Sequence, residues 1–200
     1  MPTAMRYFAH GLCCGLFVAL FMVLEPVRVR PSTWPAAAAY PMILSLGVME
    51  WQLRSLRASA WASALATDSL RAFAKAVRRQ LVRSTLCYLV ALLVLTGVVQ
   101  GLAYARGVVV PVPLLVAGTC LAAAFFLALV VSSCGRVDLV LRAWTAGLTT
   151  FGVWAALVKI VDPGPGLPSA DAAFCVAALV SATALAVAAA RTVVNPFCHA

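Results

Sequence analysis

Apolar runs long enough to cross a bilayer recur along this chain of 200 residues, and they constrain its fold more than any other feature. Crossing the hydrocarbon core takes about 20 residues of helix. A backbone in lipid must satisfy its own hydrogen bonds, which leaves only helices and closed β-barrels. The runs are continuous rather than alternating, as barrel strands would be. We therefore expect an all-α, polytopic membrane helix bundle that forms a single membrane domain over residues 1–200.

Six candidate transmembrane helices follow from these runs. The first is expected to be retained rather than cleaved as a signal peptide, because its length suits a membrane helix and Glu25-Pro26 follows it in place of a small-residue cleavage site. The second is short and is interrupted by Pro41. The predicted spans cover residues 7–24, 34–50, 84–104, 109–133, 138–161 and 171–190.

The charged residues predict the orientation of the bundle. The chain has 15 basic and 6 acidic residues, and the charges lie mostly between the apolar runs. With the N-terminus inside the cell, eleven basic residues fall on the inner side and four on the outer side, as the positive-inside rule requires. We expect a multi-pass protein of the cell membrane (plasma or inner) with both termini in the cytoplasm.

The cytoplasmic connection between spans two and three, residues 51–83, gathers much of the positive charge. Leu70, Phe73, Val77 and Leu81 recur in it at helical spacing, which predicts a basic amphipathic helix. This helix is expected to lie on the membrane surface or to continue into span three as one long helix. The basic residues of this segment are Arg54, Arg57, Arg71, Lys75, Arg78, Arg79 and Arg83.

Three roles are open for this basic segment. Glu50 lies four residues before Arg54, the favourable order for an ion pair on a helix. The basic residues can anchor the topology, and each one close to anionic lipid contributes about 1 kcal/mol. They can also dock a cytoplasmic partner such as an ATPase, or belong to a moving element of a transporter.

A polar stripe runs along one face of the predicted fifth span. Its members are three or four residues apart, so they share one side of a helix. A charge at the centre of a spanning helix costs about 2.5–3.5 kcal/mol, and we expect the stripe to face other helices or a wet cavity. The stripe consists of Asp138, Arg142, Thr145, Thr149, Gly152, Ala156 and Lys159.

The stripe has a structural and a functional interpretation. In the structural one, the small residues allow close helix packing, Asp138 pairs with Arg142, and Lys159 snorkels to the outer headgroups. In the functional one, Arg142, Thr145, Thr149 and Lys159 line a path for a polar or anionic substrate.

Several classes of site are not expected. The six carboxylates lie at or beyond the ends of the spans, without a pair suited to acid–base catalysis, and no hydrolase or metalloprotease motif occurs. We therefore predict neither an enzyme nor a cofactor. The seven cysteines are scattered and interpreted as small buried hydrophobes, so no metal site or disulfide framework is expected. Orientation accounts for the positive charge without a nucleic-acid partner.

Several features between residues 36 and 190 occur together. They are the segment LSLGVMEWQLRSLR, the long basic connection, the short Gly135-Arg136-Val137-Asp138 turn, and a Gly-rich turn before an Ala-rich last span. In this combination the chain resembles the C-terminal half of the polysaccharide and lipid-precursor flippases of the multidrug/oligosaccharidyl-lipid/polysaccharide superfamily, especially the exopolysaccharide-export branch. Such flippases contain two pseudo-symmetric halves. The resemblance therefore implies a half-transporter for a polysaccharide or lipid-linked precursor, acting as a homo-oligomer or with another membrane subunit.

Two other function classes fit the same topology. An ABC-2-type permease subunit also has about six spans, and in it the basic connection would dock on a separate ATPase. A non-transporting membrane assembly or scaffold protein would use the same charges only as anchors.

Overall fold

The computed structural model describes residues 9–16, 36–67, 69–107, 112–160 and 170–194, and all regular structure in these ranges is α-helix. The predicted all-α class is confirmed for this part of the chain. Helix α1 covers residues 9–16. The helices that follow are α2 (Ala36–Leu44), α3 (Leu46–Ala66), α4 (Leu70–Ala105), α5 (Val112–Ser133), α6 (Val137–Ile160) and α7 (Ala170–Thr192).

Three helical segments within the described residues are long and apolar enough to cross a membrane: Leu70–Ala105, Leu115–Ser133 and Ala172–Thr192. These segments characterise the chain as a multi-pass membrane protein, and they contain the third, fourth and sixth predicted spans or nearly all of them. The first predicted span lies largely outside the described residues. The second and fifth are helical, but α2 is short and α6 carries charges near its start, so neither meets the same criterion.

The second predicted span is divided at Ser45, between α2 and α3. Pro41 lies inside α2, where it lacks an N–H and crowds the preceding turn. The chain nevertheless stays coiled, because the Ser45 N–H donates to the Pro41 carbonyl at 3.0 Å and the Met49 N–H donates to the Ser45 carbonyl at 2.8 Å. An almost continuous helical run therefore leads from the apolar segment into the basic connection.

Helices α3 and α4 form an antiparallel hairpin. Ser69 caps the start of α4, since its Oγ accepts a hydrogen bond from the Ala72 N–H at 3.2 Å. From there α4 continues unbroken for 36 residues, which is about 54 Å. The hydrocarbon core is only about 30 Å thick. Of the two arrangements expected for the basic segment, the structure shows the long helix that continues into span three.

The register of the hairpin is set by a buried hydrogen bond of 2.9 Å between the Ser45 Oγ and the Tyr88 hydroxyl. In an antiparallel pair, each residue forward on one helix matches one residue backward on the other. Met49 is therefore level with Ser84, and Leu56 with Val77. The residues that this register places at matching levels are the buried ones of both helices: Met49, Gln52, Leu56 and Ala60 on α3, and Phe73, Val77, Leu81 and Ser84 on α4.

Helix α5 lies at the centre of the bundle. It packs most extensively against α7 and also contacts α2, α4 and α6. Its side chains are mostly apolar, and 56% of the residues in its membrane-length segment are buried, as expected of a helix with neighbours on several sides. Phe126 stacks on Tyr88 of α4 with ring centroids 4.9 Å apart, and Phe125 meets Trp144 of α6 at 5.2 Å. These aromatic contacts join the hairpin to the α6–α7 pair.

We predict that Tyr88→Phe lowers the free energy of unfolding by about 0.6 kcal/mol, the average measured for hydrogen bonds between membrane helices, and by no more than about 1.7 kcal/mol, the largest value measured. The change removes the hydroxyl that joins Ser45 to α4 but keeps the ring that stacks on Phe126. Denaturant titration of the protein in mild detergent measures the effect. Tyr104→Phe is the matched control. Because Tyr104 is 77% exposed, the loss of its hydroxyl should leave the free energy of unfolding unchanged. Equal destabilisation by both changes would contradict this role for Tyr88.

Candidate functional site

The seven basic residues of the α3–α4 hairpin form one exposed set. All of their side chains are exposed, whereas Phe73, Val77 and Leu81 are buried against α3. The predicted amphipathic character is therefore confirmed at these three positions. It is wrong at Leu70, which is 72% exposed. Leu70 is the first residue of α4 and lies at the turn of the hairpin, where its side chain is mainly on the surface.

The hairpin contains one ion pair among its described residues. The Arg54 guanidinium donates to the Glu50 carboxylate at 2.5 Å, so the pairing predicted from their spacing is confirmed. Both side chains are largely exposed, and an exposed pair of this kind contributes little to stability. The other six basic side chains make no ion pair with the described part of the chain.

Apolar side chains are exposed at the turn of the hairpin, a feature not anticipated from the sequence. Trp61 is 52% exposed and Leu65 is 76% exposed. They lie four residues apart on the face of α3 that continues from Arg57, opposite the buried Leu56 and Ala60. The spacing of Trp61 and Leu65 in the sequence already indicates one apolar face of a helix. Periodicity alone does not show which of the two apolar faces of α3 a neighbouring helix covers.

The polar stripe of α6 lies on the surface of the described bundle. Arg142, Thr145 and Thr149 are exposed, as are Gly152 and Ala156, whereas the opposite face of the helix is buried towards α5 and α7. The side chain of Lys159 lies outside the described residues. Among the described residues the stripe therefore does not face another helix or a cavity as expected, because α6 uses its apolar face for packing.

Local hydrogen bonds already satisfy the hydroxyl groups of the stripe. The Thr145 Oγ1 donates to the Arg142 carbonyl at 3.0 Å, and the Thr149 Oγ1 donates to the carbonyls of Thr145 and Ala146, each at 2.9 Å. Since these donors are occupied within the helix, the threonine face is able to contact lipid or another helix without a large polar penalty. Their oxygens still have lone pairs with which to accept a hydrogen bond from a substrate or a partner.

The predicted pairing of Asp138 with Arg142 is wrong. Asp138 instead pairs with Arg136, with 3.6 Å between the Nε and Oδ1 atoms. Gly135, with a φ of 72°, adopts the left-handed conformation that glycine tolerates and turns the chain so that Arg136 lies next to the start of α6. Arg142 consequently has no ionic partner among the described residues.

A cavity of about 190 Å³ lies between α1, α2, α3 and α5. No basic residue of the hairpin and no residue of the α6 stripe is among its lining residues. Its walls are almost entirely apolar and include none of the predicted path residues Arg142, Thr145 and Thr149. Among the described residues that line it, His10 is the one side chain that carries ring nitrogens, so the cavity offers a single polar group beside its apolar walls. The lining residues are His10, Met42, Ile43, Leu46, Met49, Phe125 and Leu129.

The cysteines differ from the expectation of uniformly buried thiols. Cys87 is exposed and four others are half-buried, namely Cys13, Cys14, Cys120 and Cys175. Cys134, at the turn after α5, is disulfide-bonded. Within the described ranges, no three metal-binding side chains of His, Cys, Asp or Glu lie together.

No protein-family model matches the sequence, and no curated protein and no solved structure shows significant similarity to it. The resemblance to flippases therefore rests on the sequence patterns alone. The function is inferred from the basic surface of the α3–α4 hairpin and the polar stripe of α6.

Proposed function

We propose that this chain is a subunit of a membrane transporter that acts as a homo-oligomer or with another membrane subunit. The substrate class that fits the resemblance is a polysaccharide or a lipid-linked precursor. The observation that carries the proposal is the outward-facing stripe on α6, in which the cationic Arg142 continues into Thr145 and Thr149 on the exposed side of the helix.

The cost of exposing this face to lipid supports a second subunit beside it. Arg142 lies in the second turn of α6 and has no ionic partner in the described part of the chain, while charged side chains in membrane helices normally face a protein neighbour or water. Gly152 and Ala156, further along the same face, allow another helix to approach closely. A neighbouring subunit would convert the exposed stripe into an interface or into the wall of a path.

Arg142 gives such a path a preference for anions. A guanidinium binds phosphate or carboxylate through two parallel, charge-assisted hydrogen bonds. The threonine oxygens beyond it provide weaker acceptors for sugar hydroxyls. Arg142 would then act as the binding residue at one end of the path, with Lys159 at the other.

The projecting hairpin favours a second candidate, the ABC-2-type permease subunit. In that arrangement the basic surface of α3 and α4 binds a separate cytoplasmic ATPase, and transport depends on that partner. A scaffold protein would use the same hairpin without any path along α6, so the α6 variants below distinguish it from both transporters.

The orientation is part of the proposal. The distribution of basic residues assigns the hairpin and both termini to the cytoplasm. The Cys134 disulfide favours the reverse orientation, because disulfides persist in oxidising compartments. The basic residues and the disulfide thus predict opposite orientations in the membrane, and thiol labelling distinguishes the two orientations.

In a cysteine-free background, we expect Arg106→Cys to react with an impermeant maleimide in intact cells and Ala62→Cys to react only after the membrane is opened. Both positions are exposed, so access to the reagent depends on the side of the membrane alone. Labelling of Ala62→Cys in intact cells would reverse the orientation and would place the hairpin outside.

A subunit interface on α6 predicts crosslinking between copies. In the cysteine-free background, Thr149→Cys should form a disulfide-linked dimer when membranes are oxidised, because equivalent residues meet near a two-fold axis. Val90→Cys is the control, since Val90 is exposed on the apolar face of α4 and is expected to contact lipid. Monomer in both variants, with no other membrane subunit crosslinked to Thr149→Cys, would contradict the interface.

Arg142→Gln should reduce transport of a fluorescent lipid-linked sugar diphosphate into proteoliposomes at least tenfold, with protein abundance and thermal unfolding unchanged. The reason is that glutamine keeps polar bulk but removes the charge, and Asp138 loses no partner because it pairs with Arg136. Arg106→Gln, at the opposite end of the bundle, is the control and should retain transport. Full transport by Arg142→Gln would contradict the assigned role.

A further inference from the structure

We propose that the turn of the α3–α4 hairpin binds an acidic protein surface that contains an apolar pocket. This docking tip consists of Arg57, Trp61, Leu65, Leu70, Arg71 and Lys75. The inference goes beyond the proposed transport role, since it holds whether or not the α6 stripe lines a substrate path.

The distance of most of the tip from the bilayer disfavours lipid headgroups as its main partner. No charged residue occurs between Arg83 and Arg106, and this segment of α4, about 33 Å long, matches the hydrocarbon thickness of about 30 Å. Arg83 therefore marks the membrane boundary. Lys75 and Arg71 lie eight and twelve residues beyond it, about 12 and 18 Å along the helix axis.

Electrostatic attraction to lipid fades over that distance. The headgroup layer extends about 5–7 Å beyond the hydrocarbon core, and the Debye length is about 8 Å at physiological ionic strength. Anionic headgroups therefore attract Lys75, Arg79 and Arg83 but act weakly on Arg71. The tip also cannot fold back easily onto the membrane. Helix α4 is unbroken and carries no proline between Leu70 and Ala105, and sharp kinks need such an interruption.

The charge of the hairpin selects an acidic partner. The segment from Glu50 to Arg83 contains seven basic residues and two acidic ones, Asp68 and Glu50, and Glu50 is paired with Arg54. A second hairpin would repel it, so another copy of this chain does not fit the tip. A surface rich in aspartate and glutamate would complement it and would accelerate association.

The apolar side chains favour a protein over a nucleic acid. Trp61, Leu65 and Leu70 are all more than half exposed, and tryptophan beside arginine is the composition typical of binding hot spots. Phosphates would contact the basic residues but would leave the two leucines without a partner. Bases stack on aromatic rings, and the tip offers only one.

The test uses the full chain in nanodiscs of neutral phosphatidylcholine, and three fluorescent probes measured by anisotropy. The probes are a peptide of glutamate and leucine, a polyglutamate peptide of the same length, and a single-stranded oligonucleotide of the same charge; empty nanodiscs correct for partitioning into lipid. We expect the glutamate–leucine peptide to bind at least tenfold more tightly than the other two probes.

Variants assign this binding to the tip. Trp61→Ala combined with Leu65→Ser should abolish the advantage of the leucine-containing peptide, and Arg71→Gln combined with Lys75→Gln should weaken both peptides at least tenfold. The matched control is Arg79→Gln combined with Arg83→Gln, which removes the same charge near the membrane and should change peptide affinity less than threefold. Arg142→Gln should have no effect, which separates this proposal from the transport role.

Three results would overturn the proposal. The first is absence of peptide binding. The second is equal binding of the oligonucleotide and the glutamate–leucine peptide without dependence on Trp61, which would indicate a nucleic-acid or purely electrostatic surface. The third is loss of peptide binding in nanodiscs that contain 30% phosphatidylglycerol, which would show that lipid occupies the tip.

Discussion

The hydrogen bond between Ser45 and Tyr88 is the contact on which the arrangement of this bundle depends. Inside a bilayer the hydrophobic effect does not draw helices together, so packing and polar contacts between helices decide how they align. The Tyr88 hydroxyl lies 2.9 Å from the Ser45 Oγ and 3.4 Å from the Ala122 carbonyl, while its ring stacks on Phe126. One residue thus joins the α2–α3 boundary, α4 and α5.

The register that this bond sets also determines what projects from the membrane. Because Ser45 is level with Tyr88, Trp51 is level with Val82, and Arg54 with Arg79. Glu50 is in turn level with Arg83, so the charged residues of both helices begin at the same level. Trp51 lies beside that level, and tryptophan is favoured near the membrane boundary. A slip of one helical turn, about 5.4 Å, would place charge against lipid on one of the two helices.

The sequence predicted those features that depend on periodicity along one helix. The buried stripe of α4 through Phe73, Val77 and Leu81 follows from helical spacing, and the Glu50–Arg54 pair depends only on residues one turn apart. The partner of Asp138 was not predictable in this way, because Arg136 reaches it through the local conformation of Gly135. The outward direction of the α6 stripe was also missed, since periodicity identifies the faces of a helix but not which face its neighbours cover.

Helices α4 and α6 expose faces of opposite character, and this difference requires that they have different neighbours. In the segment of α4 that fits a membrane span, only 11% of residues are buried, compared with 56% for α5, and the exposed side chains of α4 from Leu86 onwards are mainly apolar. Lipid is a sufficient neighbour for that face. The exposed face of α6 carries Arg142, a charged side chain for which lipid is a poor neighbour. Lipid on the α4 side and protein or water beside Arg142 would suit both helices, and this asymmetry supports the proposal that the chain is one subunit of a larger membrane assembly.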